Sequence, residues 1–568
     1  MATRRQFIQA GFGAVMLGLL RRSGIAYPPP ISIPSRGGPY AAPRPFERIA
    51  AHPESVSVGG YPFDPNWGGD SFAAADIPFH GVETHFPGGA PPPPSEEVDV
   101  VVVGGGLAGL TAAYLLRHHR PVLFELHDRF GGVAKGGIWQ QIEFSLGSAY
   151  FIAPDEDTFL ESFYSELGLD QVHALNEGTD LVEFSDKLLA DFWTEGLSPG
   201  EAAAYARYAE IVAYFTEKYP EIPLPEKGDS QWILDLDVLN LKQDIEQRMG
   251  MPIPKSLASG IQAYCLSSFD ASWDRVSAAA GWNFLAAEEF GRWVCPGGNA
   301  WVSDELWRRL SHSGSHGPAI GDDRLRAGHR VVQVRSSPQG RFNVIYRVPD
   351  GSFGAVSARR VVMCCSKHIC KYLLPELPII DIEHFDAMNN VLTHPYTVVN
   401  VLLDQPVDVG FYDVFLLGDG EYPIQDLSVS MNSFVADVLN GRYAEHGSTP
   451  HSVLTLYWPM AYTTAMFELV NPDSWQVFAE KLVPQLDRIL PIFGVDRNHV
   501  RQVRMARWGH AMPVAQPGFI AYGTAAKLRE PFMDHIYFAN QDNWALPAFE
   551  TSLLEAKHVA DLVDASLR

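Results

Sequence analysis

The pattern of apolar positions changes sharply in the first third of the chain. Residues 98–103 are rich in β-branched side chains, which is typical of a buried strand. From Leu107 onward the apolar residues recur at intervals of three and four, which predicts a helix. Pro121 then opens a second short apolar run, residues 122–125. The pattern therefore predicts a strand, a tight turn, a helix and a second strand.

Three glycines occupy the predicted turn in the pattern G-x-G-x-x-G: Gly104, Gly106 and Gly109. The first allows the turn, the second lets the main chain approach a pyrophosphate, and the third lets the helix pack close to the strand. Leu107 and Ala108 begin the helix, whose free N–H groups would face the phosphates. Glu125 ends the second strand, where a carboxylate accepts hydrogen bonds from a ribose. The segment predicts a dinucleotide site; the alternative is a glycine-rich turn in an ordinary βαβ unit.

Beyond this segment, helical and strand patterns follow each other in blocks. Residues 154–290 are mainly helical in pattern, and a capping box starts one helix at Ser198. The later segments with strand patterns are 329–334, 341–347, 359–363, 397–403, 453–457 and 535–540. Residues 475–490 and about 549–567 have helical patterns. Strands and helices that alternate in this way predict an α/β protein.

The N-terminal residues 1–26 have the features of an export signal. Residues 3–8 resemble the twin-arginine signal, and the apolar stretch 10–20 that follows is too short to span a bilayer. Small residues at 24–26 provide a cleavage site, although Arg21 and Arg22 leave the cut undetermined. The alternative is a surface amphipathic helix. We expect a periplasmic or secreted protein that is exported folded and has no transmembrane anchor.

Residues 27–95 are rich in proline and glycine, which predicts an extended arm or linker with little regular structure.

The 568 residues are 46% hydrophobic, enough for more than one domain. The formal net charge of -24 argues against nucleic acid as a partner. This acidity could attract cationic substrates or simply keep an exported protein soluble. Five cysteines, without a C-x-x-C pair, indicate neither a disulfide framework nor a zinc site, and no metal is predicted.

Seven stretches together resemble the FAD-dependent amine oxidase superfamily, and more closely its spermidine dehydrogenase-like branch. They are residues 98–110, 125–136, 295–302, 361–378, 399–405, 505–512 and 535–543. The resemblance implies a glutathione-reductase-like FAD-binding Rossmann domain interleaved with an α+β substrate domain. The FAD-binding domain would consist of residues 96–153, 291–390 and 500–568, and the substrate domain of residues 154–290 and 391–499.

The resemblance also implies roles for single residues. Gly104, Gly106 and Gly109 would hold the FAD pyrophosphate, and Glu125 the adenosine ribose. Beside them would lie Leu126, Arg129, Gly131 and Gly132. Val331 would pair with the adenine edge, and Gly297 and Gly298 would approach the flavin. Asn540, Gln541 and Asp542 would meet the ribityl chain and the second phosphate, although Asp542 could instead be a plain helix cap.

The sequence departs from the family pattern at two places. Many amine oxidases carry a lysine near flavin N5 on the strand that here is residues 397–403, and no lysine is present there. Thr393, His394 and Asn400 are the nearby polar residues. For His394 a structural role is favoured over a catalytic one. Fast reaction with oxygen is therefore in doubt, and electrons could pass instead to an acceptor protein or a quinone.

The second departure concerns cofactor attachment. Relatives that bind FAD covalently use a cysteine near the position of residues 507–510, and none is present here. We therefore predict noncovalent FAD, with a bond to His510 as the alternative. Some members of the branch contain haem, but nothing in this sequence identifies an axial ligand.

The resemblance implies hydride transfer from the α-carbon of a small-molecule amine to flavin N5. This reaction needs little acid–base machinery and an aromatic pocket that positions the amine. Trp508 and Trp544 are candidates for the pocket wall, though either could be a core aromatic. Together with His394 and His510 they form the candidate catalytic set. A polyamine such as spermidine is one candidate substrate. The alternatives are a flavin oxidase or desaturase for an amino acid or other nonamine metabolite, and a flavoprotein fold retained as a binding or chaperone partner.

Overall fold

The structure is a computed structural model. It describes residues 44–70, 82–176, 181–185, 187–219, 230–288, 291–407, 410–417, 435–445, 449–461, 465–471 and 474–568. The predicted export signal and the first part of the predicted arm, to residue 43, lie outside the described residues.

The strands of the described residues are, in chain order, β1 (Phe46–Arg48), β2 (Val56–Val58), β3 (Tyr61–Gly69), β4 (Glu96–Val103), β5 (Val122–Phe124), β6 (Gly136–Trp139), β7 (Ile142–Ser145), β8 (Phe151–Ile152), β9 (Ala174–Asn176), β10 (Val182–Phe184), β11 (Lys187–Leu189), β12 (Arg292–Val294), β13 (Leu325–Arg326), β14 (Arg330–Ser336), β15 (Phe342–Arg347), β16 (Phe353–Met363), β17 (Thr393–Leu403), β18 (Asp413–Leu416), β19 (Asp437–Asn440), β20 (Ser452–Pro459), β21 (Val500–Pro513) and β22 (Ile536–Phe538).

The α-helices of the same residues are α1 (Leu107–Leu115), α2 (Phe159–Leu167), α3 (Pro199–Lys218), α4 (Gln231–Asp237), α5 (Leu241–Met249), α6 (Lys255–Phe269), α7 (Ala278–Glu288), α8 (Ala300–Ser311), α9 (Lys367–Leu373), α10 (Leu377–Ile380), α11 (Ile382–Asn389), α12 (Ala465–Val470), α13 (Ser474–Ile492), α14 (Thr524–Arg529) and α15 (Phe549–Leu567).

The first large sheet is built around β4. Strands β5 and β16 pair with it in parallel on its two sides, β13 extends the sheet beyond β5, and β15 and β14 extend it beyond β16. Strand β22 pairs in parallel with β16. Val100 and Val102 face one apolar cluster and Val101 and Val103 face another. Because both faces of β4 are covered at residues 100–103, this part of the strand is a continuous run of valines.

The second large sheet is built around β17, which pairs antiparallel with β20 and β21. Its strand order is β11, β10, β18, β19, β20, β17, β21, β3 and β2. One face of this sheet packs against α13, whose Leu482, Leu486 and Ile489 belong to the same buried cluster as Val399 and Val401. The opposite face of β17 carries Tyr396 and Val398 into a different cluster, with Trp508 of β21.

Two predictions about chain organisation can be set beside these pairings. We placed residues 500–568 in the FAD-binding domain and residues 391–499 in the substrate domain, and in the structure β21 (Val500–Pro513) pairs along β17 in the second sheet. The predicted arm is not without regular structure, because β1 pairs in parallel with β6, and β3 pairs in parallel with β21. Strand β3 contains Pro62 and Pro65, which lack the N–H group of an ordinary strand residue. The proline content therefore concealed a strand in the sequence.

Among the described helices, we find none with the length and apolar content that a membrane crossing requires.

Candidate functional site

The predicted glycine turn joins β4 to α1 and faces a second glycine turn at residues 131–132. The residue Gly104 has a φ of +105°, which a side chain would strain, and its amide donates to the carbonyl oxygen of Phe124 (2.9 Å). A Cβ built on Gly106 would lie 3.7 Å from the Cα of Gly132, with nothing nearer. The two turns therefore leave a shallow main-chain cradle at the start of α1, the place where a phosphate binds in such motifs.

Two other glycines of this turn are required by close packing. A Cβ on Gly109 would lie 1.8 Å from the carbonyl oxygen of Gly104, so the third glycine allows α1 to approach the turn. A Cβ on Gly105 would lie 2.4 Å from a ring atom of Phe130. Gly105 is therefore also required by packing, although the motif gives this residue no role. Leu107 and Ala108 are buried in the first turn of α1, as the motif requires of a helix that begins at the cradle.

Glu125 lies at the rim of the cradle and is buried. Its Oε2 accepts from the amide of Gly105 (2.7 Å) and its Oε1 from the amide of His127 (2.8 Å). Each carboxylate oxygen has two lone pairs, so both keep the capacity to accept a ribose hydroxyl. The side chain of Leu126 is exposed and contributes no wall.

Two cations lie beside the cradle. Arg129 donates through Nη2 to Glu47 of β1 (3.0 Å), while its Nη1 is buried without a hydrogen-bond partner among the described residues. Lys135 is only 3% exposed, and burial is the main cause that lowers the pKa of its ammonium group. A buried, unpaired guanidinium nitrogen is unfavourable unless a ligand meets it. These groups fit a bound anion such as a pyrophosphate.

The residues predicted to contact adenine and the flavin lie near the cradle and the cavity described below. The amide of His329 donates to the carbonyl oxygen of Glu125 (2.9 Å), which brings the start of β14 and Val331 to the ribose end. Gly297 and Gly298 both have positive φ angles. A Cβ on Gly297 would lie 2.5 Å from Phe46, and one on Gly298 would lie 2.7 Å from Ala149, a cavity residue.

Residues 540–542 follow β22 and are held by Lys367, the first residue of α9. Lys367 donates from Nζ to Asn540 Oδ1 (2.7 Å) and from its amide to Asp542 Oδ2 (2.8 Å). Gln541 donates from Nε2 to the carbonyl oxygen of Ala511 (3.2 Å), a cavity residue. The Asp542 carboxylate therefore accepts from the first amide of α9. Asp542 itself lies inside a short 3-10 helix, Gln541–Asn543, which has no side-chain cap.

A largely aromatic cavity lies between the second sheet and the start of α15. Its empty volume, including its open part, is about 880 Å³. Its aromatic wall residues are Tyr150, Phe151, Phe284, Tyr396, Tyr457, Trp508 and Phe549. The polar ones are Ser148, Ser267, Ser268, Asn299 and Glu550, and Glu550 is the one charged side chain among the described lining residues. Such a cavity suits a flat or apolar ligand with few polar groups.

The cradle and the cavity are contiguous. Gly132 faces Gly106 in the cradle, and the next residue, Val133, lines the cavity. Lys135 extends the same turn and places its Nζ 5.9 Å from the ring centroid of Trp508. One extended ligand could therefore have a pyrophosphate in the cradle and a ring system in the cavity, which is the shape of FAD.

The two tryptophans predicted as wall residues lie in different places. Trp508 lines the cavity, and its indole N–H donates to the carbonyl oxygen of Leu146 (2.8 Å). Trp544 does not line it, which corrects the prediction. Its indole donates to Glu555 (2.8 Å), and the Arg529 guanidinium lies 4.7 Å from its ring centroid. Trp544 lines a separate pocket whose empty volume, including its open part, is about 430 Å³. The Glu555 contact holds Trp544 in the core.

Neither candidate histidine lines the cavity. His394 is buried, its Nδ1 is 2.6 Å from the carbonyl oxygen of Asp270, and burial lowers its pKa. His510 pairs through Nδ1 with the Thr393 hydroxyl (2.7 Å) and packs 4.1 Å from His368. Burial lowers the pKa of His510 to about 4, with the His368 charge as a smaller cause. Both imidazoles therefore lie outside the cavity lining and are neutral near pH 7.

Residues 107–563 match the family model of flavin containing amine oxidoreductases. The chain belongs to this family. It is an FAD-dependent amine oxidoreductase. The oxidoreductase PigB of Serratia sp. (strain ATCC 39006) is 22% identical to it in an alignment of 518 positions that covers 81% of this chain and 74% of PigB.

Two solved structures share the fold of this amine oxidoreductase. A putrescine oxidase with putrescine bound has a TM-score of 0.58 at 18% identity, covering 83% of this chain and 99% of its own. Cyclohexylamine oxidase from Brevibacterium oxydans IH-35A has a TM-score of 0.58 at 15% identity, covering 83% of this chain and 100% of its own. At these identities the likeness establishes a mixed α/β fold of the amine oxidase type.

Several site residues escaped the sequence analysis. Lys135 stands in the same glycine-rich turn as Gly131 and Gly132, so its position could have indicated a phosphate contact. Tyr396 precedes Val398 by two residues on β17, and this alternation could have indicated a cavity-facing side chain. Tyr457 and Glu550 gave no comparable signal, because their neighbours in the cavity come from distant parts of the chain.

Proposed function

We propose that the protein binds FAD noncovalently and oxidises an amine in the aromatic cavity. The observation that supports this is the continuity between the main-chain cradle and the cavity, through the turn from Gly132 to Lys135. When bound, FAD supplies the acceptor, flavin N5, for a hydride from the α-carbon of the amine. Arg129 and Lys135 would neutralise its pyrophosphate, and Glu125 would hold its ribose.

The residues of the chain would then bind and orient the amine. The rings of Tyr396 and Tyr457 pack edge to face, with centroids 5.6 Å apart. The Tyr396 hydroxyl donates to the carbonyl oxygen of Ser267, and the Tyr457 hydroxyl donates to that of Gly147. Their rings are thus fixed, and they present apolar faces that exclude water. A neutral amine in such a wall keeps the lone pair that assists hydride departure.

The cavity favours an amine over an amino acid. No lysine, arginine or histidine stands among the described lining residues, so a substrate carboxylate would find no cation there. Glu550 provides one carboxylate in the lining. Behind the wall Ser267 donates to Asp437 (3.2 Å), but burial raises the pKa of Asp437 and favours its neutral form. One carboxylate would suit a monoamine or a substrate with a second amino group, so a polyamine such as spermidine is part of the proposal.

We further propose that residues 1–26 direct export of the folded, loaded protein by the twin-arginine route to the periplasm or beyond. Membership of the spermidine dehydrogenase-like branch is also a proposal, supported by the sequence stretches it shares with that branch. The absence of a lysine in Thr393–Leu403 supports an acceptor protein or a quinone over oxygen.

The decisive experiment is an anaerobic panel on the purified flavoprotein, followed by readmission of oxygen. We expect monoamines or polyamines to bleach the flavin absorbance, and amino acids to leave it unchanged. Slow return of the colour in air, with fast return after adding a quinone, would support a dehydrogenase. Bleaching by amino acids or other nonamines alone would overturn the proposal, and stoichiometric binding without turnover would favour a binding protein. Release of the flavin by acid precipitation tests the noncovalent attachment.

A further inference from the structure

Two histidines and an aspartate meet at the surface, far from the cradle and the cavity. His118 and His119 both point their Nε2 atoms at one oxygen of Asp564, at 2.8 and 2.9 Å from its Oδ1. The three ligand atoms all lie within 4.8 Å of one another. Within the part of the chain that the structure describes, no other group of three such side chains converges in this way.

The geometry and chemistry of these groups suit a transition-metal ion. Zinc binds histidine nitrogen and carboxylate oxygen at about 2.0–2.2 Å, which places ligand atoms of a tetrahedral site about 3–4 Å apart. The Nε2 and Oδ1 atoms need to separate by only about 0.5 Å to reach this spacing. The His118 side chain is 55% exposed and can move, and solvent can fill the remaining positions. Imidazole and carboxylate together favour Zn²⁺ and its neighbours over Mg²⁺ or Ca²⁺.

The protonation state of the carboxyl group also suits a ligand. Hydrogen bonds from His118, His119 and Arg568 lower the pKa of Asp564, so the group is ionised at neutral pH. Arg568 contacts the other oxygen, Oδ2, and leaves Oδ1 to the two imidazoles. An ion at this point would take the Nε2 lone pair of each imidazole, with the ring proton held on Nδ1.

His118, His119 and Asp564 lie near the C-terminal ends of α1 and α15. The N-terminal ends of the same two helices border the cradle and the cavity. His118 and His119 lie in the short turn Arg117–His119 after α1, whose first residue follows Gly106. Asp564 lies in the last turns of α15, whose first residues, Phe549 and Glu550, line the cavity. The two helices share one apolar cluster.

We propose that His118, His119 and Asp564 form a structural site for a divalent transition-metal ion of the Zn²⁺ type. The ion would fasten the far ends of α1 and α15 together. It would stabilise the folded chain without touching the flavin or the substrate.

The test uses the full chain loaded with FAD, without a polyhistidine tag, stripped by a chelator and titrated with Zn²⁺ in a calorimeter. We expect one equivalent to bind and to raise the melting temperature, while the flavin spectrum stays unchanged. His118→Ala, His119→Ala and Asp564→Asn should each weaken binding by about tenfold or more. Co²⁺ should give the visible absorption of a nitrogen- and oxygen-ligated ion, and this should disappear in the same variants.

His499→Ala is the matched control. His499 also pairs with a single aspartate, Nδ1 to Asp404 Oδ1 at 2.9 Å, on the surface, but it lacks a second histidine. Its loss should leave Zn²⁺ binding unchanged. Absence of Zn²⁺ binding in the unaltered chain, or equal binding in all three variants of the trio, would overturn the proposal. The flavin spectrum of each variant shows that it has folded.

Discussion

The cradle and the cavity are built by opposite means. The cradle consists of main chain from two short turns, residues 104–109 and 131–132, and its shape depends on the lack of side chains. The cavity is lined mainly by side chains from the second sheet, α6, α7, the start of α15 and residues 147–152. In the proposed function the cradle would bind the part that all dinucleotides share, and the cavity would bind the part that distinguishes one substrate from another. Changes to the cradle should therefore remove the cofactor, and changes to the cavity should alter turnover.

The largest effect is expected at the cradle's closest contact. Gly109→Ala would put a methyl group 1.8 Å from the Gly104 carbonyl oxygen, so α1 must move away from β4. We expect the free energy of unfolding to fall by about 3 kcal/mol or more, with loss of FAD. Chemical denaturation and flavin content measure both.

Gly200→Ala is the control for this change. Gly200 lies in the first turn of α3 and has nothing within 4 Å of an added Cβ, so the same substitution should be neutral or slightly stabilising. A Gly109→Ala protein that keeps its stability and its flavin would show that α1 does not depend on this contact.

A second change separates the cradle's binding role from its folding role. In Gly106→Ala the new methyl group would lie 3.7 Å from Gly132, an ordinary contact, so the apoprotein should keep its stability. The methyl group would occupy the space over which a pyrophosphate approaches, and FAD affinity should fall by about 10- to 100-fold. Flavin fluorescence titration of the apoprotein measures the affinity. An unchanged affinity would place the phosphates elsewhere.

The same contrast explains how far sequence reasoning could go. Gly104, Gly106, Gly109 and Glu125 lie within one βαβ unit, so local spacing predicts their arrangement. The pairing of β3 with β21 depends on residues more than four hundred positions apart, and nothing in either segment indicates the other. The sequences around Trp508 and Trp544 are both compatible with a cavity wall. In the structure Trp544 instead donates to the buried Glu555 and lies in the core, and this contact cannot be read from the sequence.

Lys135 lies between the cradle and the cavity, and its replacement should change apoprotein stability and FAD affinity in opposite directions. Lys135→Met removes a cation that burial disfavours, so the apoprotein should become more stable. The same change removes a counter-charge from the pyrophosphate, and FAD should bind about 10- to 100-fold more weakly. Thermal melts of the apoprotein and flavin titrations measure the two effects.

The pH dependence adds a further check on Lys135. Because the folded pKa lies below the ordinary 10.5, the unfolded chain holds the proton more tightly, and apoprotein stability should rise as pH increases between these two values. This rise should be smaller in Lys135→Met. Lys481→Met, which removes a partly exposed lysine paired with Glu468, is the control and should leave FAD affinity unchanged. A stability loss in Lys135→Met apoprotein would contradict the buried-cation argument.

The smallest expected effect tests whether the cavity, and no other pocket, receives the amine. Trp508→Phe shortens the wall and removes the hydrogen bond to Leu146, so KM for the amine should rise by about tenfold while FAD affinity stays close to its original value. Trp544→Phe removes the hydrogen bond to Glu555 and should reduce stability by about 1–2 kcal/mol, with KM unchanged. Steady-state kinetics and denaturation separate the two tryptophans. If Trp544→Phe changed KM as much as Trp508→Phe, the pocket beside Trp544 would have to take part in substrate binding, and the division between core and cavity would fail.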